Sequence, residues 1–247
     1  MKKLAVLLFA LSLTASAHAD VIQIAVAANF AAPMKQIASD FEKETGHQAM
    51  LSFGATGKFY AQIRNGAPFE VLLAADDETP TKLAKEGAAL ATTQFTYAKG
   101  KLALWSAKPA FVDTKGEVLK TGSFDRRALT NPRLAPYGAA AVEVMKALGV
   151  HETLSPRFVT AENLTQTYQF IKSGNAQLGF VALSQVLQDG KLVEGSAWAV
   201  PTSLHQPIRQ DAIVLDKGKG KPAVEALMKY LGSDKVRALI QSYGYEL

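Results

Sequence analysis

Residues 21–30, VIQIAVAANF, begin a pattern that the rest of the chain repeats. The run from Val21 to Ala27 has the apolar and β-branched composition of a strand buried on both faces. Small residues follow this run. From Met34 to Phe41 apolar residues then recur at helical spacing, which indicates a helix. A buried strand followed by a helix is the unit of an α/β fold with a largely parallel sheet.

The same unit recurs in both halves of the chain. Further buried strands are predicted over 49–53, 71–74, 97–106, 157–160 and 178–182, and helices follow most of them. The alternation of strand and helix patterns is interrupted near residue 100, and a polar segment at 202–210 precedes the last predicted strand. We therefore predict two lobes, a discontinuous first lobe formed by 20–99 and 208–247 and a second lobe formed by 100–207.

The first nineteen residues have the composition of a secretory signal peptide. Lys2 and Lys3 give a positive start, an apolar run follows, and residues 17–19 (AHA) form a small-x-small cleavage pattern. The chain contains no cysteine, which excludes a disulfide framework, a thiolate metal site, a cysteine nucleophile and a lipid-anchoring cysteine. An exported protein without a lipid anchor is retained where an outer membrane encloses it, so we expect a periplasmic location.

Charge and histidine spacing exclude several other classes of protein. The formal charge of +5 is a mild excess, and lysines such as Lys99, Lys101, Lys217, Lys219 and Lys221 lie in predicted loops without interleaved aromatic residues, which indicates a solvated surface and no nucleic-acid partner. His47, His151 and His205 are far apart, and no nucleophile motif lies near them, so neither a metal cation nor a catalytic site is predicted. The absence of a long heptad pattern predicts a monomer.

The junctions between strands and helices are suited to ligand binding, since small residues there let a ligand approach the backbone. Four have this composition: 27–30 (AANF), 53–57 (FGATG), 135–138 (APYG) and 162–164 (ENL). A helix N-terminus presents unpaired N–H groups and about half a positive charge, which favours an anion. Asn29 and Thr56 add hydrogen-bonding side chains at two of these helix starts. The alternative interpretation is that both are ordinary N-caps.

At these junctions the sequence resembles the periplasmic molybdate-binding proteins of ABC importers, over essentially the whole mature chain. The most specific stretches are 51–63 (LSFGATGKFYAQI), 65–69 (NGAPF), 74–78 (AADDE), 134–138 (LAPYG), 178–183 (LGFVAL) and 243–245 (YGY). The resemblance implies a type II periplasmic binding protein fold, an α/β architecture of two lobes. Each lobe would be a mixed, mostly parallel sheet flanked by helices.

The resemblance also implies a ligand set of neutral donors. Asn29 and Thr56 match positions that donate from side chain and backbone, and Tyr137 and Leu164 match positions that donate backbone N–H groups. One branch of the family has a tyrosine at the position of Ala182, whereas this chain, like another branch, has a tyrosine at position 137. The resemblance therefore implies that the Tyr137 hydroxyl replaces the missing donor. The implied ligand is molybdate or tungstate, the implied partner is an inner-membrane ABC permease, and no cofactor is implied.

Two other functions are compatible with the sequence. A receptor for sulfate, thiosulfate or another small oxyanion would use the same kind of site, because these residues do not reveal the radius of the cavity. An exported α/β hydrolase or transferase would need a nucleophile–base pair near the cleft, for which the sequence offers no candidate. The leading hypothesis is a binding protein that closes two lobes around a tetrahedral oxyanion.

Overall fold

A computed structural model of the chain describes residues 19–122, 124–188 and 190–247. The predicted signal peptide, residues 1–19, therefore lies outside the described residues apart from Ala19. Within these ranges no helix is both long enough and apolar enough to cross a membrane.

The described residues alternate strands and helices along the chain, as the sequence predicts. The strands are β1 (Val21–Ala27), β2 (Gln48–Gly54), β3 (Val71–Leu73), β4 (Phe95–Gly100), β5 (Leu102–Ser106), β6 (Arg127–Thr130), β7 (Phe158–Ala161), β8 (Leu178–Ala182), β9 (Leu187–Gln188), β10 (Lys191–Leu192), β11 (Ser196–Ala199) and β12 (Ile208–Val214). The helices are α1 (Ala31–Thr45), α2 (Thr56–Arg64), α3 (Glu78–Lys85), α4 (Val118–Thr121), α5 (Pro136–Ala147), α6 (His151–Leu154), α7 (Leu164–Lys172), α8 (Pro222–Leu231) and α9 (Asp234–Ser242).

The first sheet combines strands from both ends of the chain in the order β2-β1-β3-β12-β4. β1 is parallel to β2 and β3, and β12 is antiparallel to β3 and β4. The second sheet has the order β11-β5-β8-β6-β7. There β6 is parallel to β7 and β8, and β5 is antiparallel to β8 and β11. In each of these five-stranded sheets one strand opposes the other four, which confirms the mixed, mostly parallel architecture, and β9 and β10 form a separate antiparallel pair.

The chain passes between the sheets twice. It leaves the first sheet at Lys101, which separates β4 from β5, and returns between β11 and β12. The single strand predicted over 97–106 is therefore wrong, because the apolar pattern continues while the hydrogen-bond partners change from one sheet to the other. We call the part built on the first sheet the first lobe and the part built on the second sheet the second lobe.

The helices pack on the cores of the two lobes and follow the strands in a regular order. α1 buries Met34, Ile37 and Phe41 in the core of the first lobe, and α5 buries Val144 and Met145 in the core of the second. α1 and α2 follow the carboxyl ends of β1 and β2, and α5 and α7 follow those of β6 and β7. Since carboxyl ends of parallel strands lie at one edge of a sheet, each lobe presents two helix N-termini along one edge.

Candidate anion-binding site

The four junctions singled out in the sequence meet at one small cavity between the lobes. The first lobe contributes the end of β1 with the short 3₁₀ turn Ala28–Phe30, and the end of β2 with the start of α2. The second lobe contributes the starts of α5 and α7. The structure thereby brings together all four predicted site residues, Asn29, Thr56, Tyr137 and Leu164.

The cavity is lined by small and neutral residues. Among the described residues its lining is Ala27, Ala28, Asn29, Gly54, Ala55, Thr56, Ala75, Ala135, Pro136, Tyr137, Asn163 and Leu164. None of these carries a charge. The space open to the centre of a water molecule is about 10 Å³, whereas pockets for drug-sized ligands span roughly 300–1,000 Å³. The cavity therefore suits one small solute.

Unpaired backbone N–H groups border this cavity. The N–H groups of Asn29, Thr56, Tyr137 and Leu164 have no hydrogen-bond acceptor within the part of the chain that the structure describes. Each residue lies in the first turn of a helix, where N–H groups lack an intrahelical acceptor. Unpaired donors at helix N-termini, with the helix dipoles behind them, form an environment that attracts an anion.

Thr56 is held in place by a neighbouring backbone segment. Its Oγ1 accepts from the N–H of Ala75 at 3.0 Å, and the residue is 1% exposed. The hydroxyl hydrogen has no acceptor within the described residues and is available as a donor at the cavity. Thr56 is not the N-cap of α2, since Ala55 occupies that position and no side chain caps the helix. The N-cap interpretation of Thr56 is therefore wrong.

Asn29 is also not an N-cap. Its 3₁₀ turn follows Ala27 and has no side-chain cap. Instead, Asn29 Nδ2 donates to Gln210 Oε1 at 2.7 Å and to the Tyr245 hydroxyl at 3.2 Å. The side-chain N–H groups of Asn29 are thus used within the protein, and its backbone N–H is the donor left at the cavity.

The Tyr137 hydroxyl lies elsewhere than the resemblance implies. It accepts from Gln210 Nε2 at 3.1 Å and packs against Gly100, and neither residue lines the cavity. Burial raises the pKa of Tyr137 well above its ordinary value, so the hydroxyl stays neutral. Tyr137 therefore offers the cavity its backbone N–H, while the hydroxyl expected to replace a donor at Ala182 is bonded inside the protein.

A larger cleft of about 340 Å³ lies beside this cavity and differs in charge. Its lining carries four acidic side chains, Asp76, Asp77, Glu78 and Glu143, and two basic ones, Arg133 and Arg209. Burial raises the pKa of Asp76 to about 6, although hydrogen bonds from Thr79 oppose the shift. Because the acidic side chains outnumber the arginines, this cleft favours an anion less than the smaller, uncharged cavity, which is therefore the candidate site. Within the described residues no group of three His, Asp or Glu side chains is arranged to hold a metal ion.

Sequence reasoning missed three polar residues directly behind the cavity: Ser184, Gln210 and Tyr245. All three are buried. The sequence did offer a sign of Gln210, because it is a polar residue directly before the apolar part of the strand at 208–214 (IRQDAIV). Tyr245 packs in the core of the first lobe and also uses its hydroxyl in this network.

Known proteins are similar to this chain in sequence and in architecture. The chain matches the family model of bacterial extracellular solute-binding proteins over residues 22–246. It is 56% identical over 247 residues to the molybdate-binding protein ModA of Azotobacter vinelandii, covering 100% of this chain and 98% of that protein. ModA of Rhodobacter capsulatus is 48% identical, covering 95% of this chain and 92% of that protein. The solved structure of an A. vinelandii periplasmic molybdate-binding protein has a TM-score of 0.89 at 40% identity, covering 92% of this chain and 99% of the other.

Proposed function

This chain belongs to the family of bacterial extracellular solute-binding proteins, and we propose that it captures molybdate or tungstate and delivers it to an ABC permease. The observation that carries this proposal is the convergence of four unpaired N–H groups on one small cavity without charged side chains. The molybdate-binding relatives support the choice of ligand. The relatives are binding proteins, and we propose a periplasmic carrier without a catalytic role or a cofactor.

A lining of donors favours an anion that carries no proton. Burying a charge is costly unless hydrogen bonds surround it, and here the donors belong to both lobes. Molybdate, tungstate and sulfate are fully deprotonated near neutral pH, so each oxygen can accept. Hydrogen phosphate retains a proton that needs an acceptor such as a carboxylate, and the described lining contains none.

Capture would require the lobes to close. Asn29 and Thr56 belong to the first sheet's lobe, and Tyr137 and Leu164 to the second. We propose that the segments 20–99 with 208–247 and 100–207 move as two bodies, so that all four donors meet the anion in the closed arrangement. The anion would then shift the population towards that arrangement, which the permease could distinguish.

Thermal unfolding with separate oxyanions tests this function. A ligand that binds the folded protein at 100 times its Kd adds about 2.7 kcal/mol of stability, and molybdate or tungstate should therefore raise Tm by several degrees. We expect phosphate to leave Tm unchanged. A larger shift with sulfate than with molybdate would identify a sulfate receptor, and no shift with any of the four anions would overturn the proposal. Competition calorimetry then ranks the anions that bind.

A further inference from the structure

A buried polar network behind the cavity connects the two lobes through one side chain. Gln210 lies in β12 and is 0% exposed. Its Oε1 accepts from Asn29 Nδ2 at 2.7 Å, and its Nε2 donates to the Tyr137 hydroxyl at 3.1 Å. Asn29 follows β1 in the first lobe, and Tyr137 lies in α5 of the second lobe. The Gln210 amide therefore joins two cavity residues from opposite lobes.

Tyr245 makes a second connection of the same kind. Its hydroxyl donates to the backbone carbonyl of Asn29 at 2.8 Å and accepts from Ser184 Oγ at 2.9 Å. Ser184 follows β8 in the second lobe, whereas Tyr245 packs in the core of the first. Asn29 is thus held at its side chain by Gln210 and at its backbone by Tyr245, so its N–H has a defined direction at the cavity.

β4, after which the chain first leaves the first lobe, ends in a glycine that leaves room for this network. Gly100 is the last residue of β4, and its φ is outside the positive region that favours glycine. A Cβ at this position would lie 2.0 Å from the Tyr137 hydroxyl and 2.6 Å from Gln210 Nε2. The absence of a side chain at position 100 is therefore required by the Tyr137–Gln210 contact and not by the backbone conformation.

We propose that Gln210 is a positioning residue that couples the lobes and aligns the Asn29 and Tyr137 donors on the bound anion. This inference rests on the proposed function of the cavity. Gln210 does not touch the anion, so its loss leaves all four backbone donors in the protein. What is lost is the bond that keeps α5 in register with Asn29, and a bound anion then escapes faster.

A double-mutant cycle between Gln210→Met and Tyr137→Phe tests this role. Methionine keeps the size of glutamine, and Tyr137→Phe removes the hydroxyl without changing the backbone N–H. A neutral hydrogen bond is worth about 1 kcal/mol, so Tyr137→Phe should raise the Kd for molybdate about five- to tenfold. Gln210→Met should raise it at least as much, because it also removes the bonds to Asn29 and Tyr97. The increase should appear in the dissociation rate, measured by stopped-flow fluorescence. The double variant should bind no more weakly than Gln210→Met alone, because Gln210→Met already removes the contact with the Tyr137 hydroxyl.

Matched substitutions elsewhere provide the controls. Gln177→Met alters a glutamine whose Oε1 accepts from the N–H of Arg126, and Tyr168→Phe removes a hydroxyl that contacts Glu194 in the second lobe. Both should retain the wild-type Kd. If Gln210→Met fails to fold, Tyr137→Phe alone decides through its dissociation rate.

Two results would overturn the role of Gln210. The first is a wild-type Kd and dissociation rate in Gln210→Met and Tyr137→Phe despite a lower unfolding free energy, which would indicate a merely structural network. The second is strictly additive losses in the cycle. A wild-type protein that binds sulfate and not molybdate would instead overturn the proposed ligand, and the same cycle measured with sulfate would still test Gln210.

Discussion

The backbone N–H of Gly57 donates to the carbonyl of Leu134 at 2.9 Å, which joins the first turn of α2 to the second lobe beside the cavity. The neighbouring Lys58–Glu162 ion pair, at 2.5 Å, also connects the lobes, but its side chains are 42% and 62% exposed and such pairs contribute little. The close backbone approach at Gly57 is therefore the more specific contact. It depends on the absence of a side chain at this position.

Gly57→Ala should affect folding and binding in opposite directions. Alanine favours a helix over glycine by about 1 kcal/mol, so the urea midpoint of the unliganded protein should be unchanged or higher. The new Cβ would lie 3.2 Å from both Cα and O of Leu134, which crowds the closed arrangement. We expect the Kd for molybdate to rise about three- to tenfold, since a contact of this kind costs of order 1 kcal/mol.

Gly232→Ala is the matched control for that variant, because a Cβ there would have no neighbour closer than 3.6 Å and the backbone is right-handed helical. It should leave the Kd unchanged. Equal affinities for Gly57→Ala and wild type, measured by calorimetry, would show that the lobes do not need this approach.

The Thr56 hydroxyl should contribute to the affinity for the anion. Thr56→Val keeps the shape of the side chain but removes the donor, and a hydrogen bond to a charged group is worth about 1.5–3 kcal/mol. The Kd for molybdate should therefore rise about ten- to hundredfold, whereas Thr56→Ser should stay near wild type. Thr93→Val is the control, because Thr93 Oγ1 likewise accepts a backbone N–H, that of Val214, at 3.0 Å. Equal losses in both valine variants would contradict a role for Thr56 at the ligand.

The backbone donor at Leu164 can be removed with proline. Leu164 is the first residue of α7, where proline is tolerated, and Asn163 before it is extended at φ −149° and ψ 170°. Leu164→Pro and Leu164→Ala should both lower the unfolding free energy by about 2–5 kcal/mol, because the leucine side chain is buried. Only the proline variant loses the N–H, so only it should weaken molybdate binding, by about ten- to hundredfold. Calorimetry on variants that are folded by circular dichroism compares the two, and equal affinities would remove Leu164 from the site.

Asp76 should make the protein more stable as the pH falls from 7 towards 5. Burial raises the pKa of Asp76 to about 6, above its ordinary value of 3.8. The folded state therefore binds a proton more tightly than the unfolded state, and the cost of burying the carboxylate is removed as the pH falls through 6. Urea unfolding of wild type and Asp76→Asn should show this slope in wild type and a flatter profile in the variant.

Asp113→Asn is the comparison for the pH profile. Desolvation opposes the shift, but backbone N–H groups of Val118, Lys115 and Glu117 lower the pKa of the exposed Asp113. Its contribution is therefore present above its ordinary pKa and lost at lower pH, so Asp113→Asn should leave the slope between pH 7 and 5 intact. An identical slope in Asp76→Asn would refute the assignment to Asp76.

Much of the fold followed from local patterns. The run of apolar residues at 21–27 and the helical spacing from Met34 to Phe41 predicted β1 and α1, and Gly46 ends that helix with φ 77°. These predictions succeed because strand and helix periodicities are properties of neighbouring residues. The strand over 97–106 failed because its division at Lys101 depends on which sheet each half joins.

The residues of the candidate site could be predicted from the sequence for a related reason. Small residues at strand–helix junctions and the order of the elements already place Asn29, Thr56, Tyr137 and Leu164 at helix starts. The direction of a side chain is different, because it depends on partners far along the chain. The Asn29 amide bonds to Gln210 and Tyr245, which are 181 and 216 residues away.

The sequence by itself determined the α/β class, the signal-like start and the four junctions whose backbone could face a ligand, because each of these depends on a pattern of residues that are neighbours in the sequence. Only the tertiary structure decided that those junctions share one uncharged cavity and that the Tyr137 hydroxyl turns away from it towards Gln210. The physical reason is that buried polar groups need hydrogen-bond partners, and the fold decides which groups lie within hydrogen-bonding distance. In this protein the partners are Gln210 in β12 and Tyr245 in the C-terminal segment.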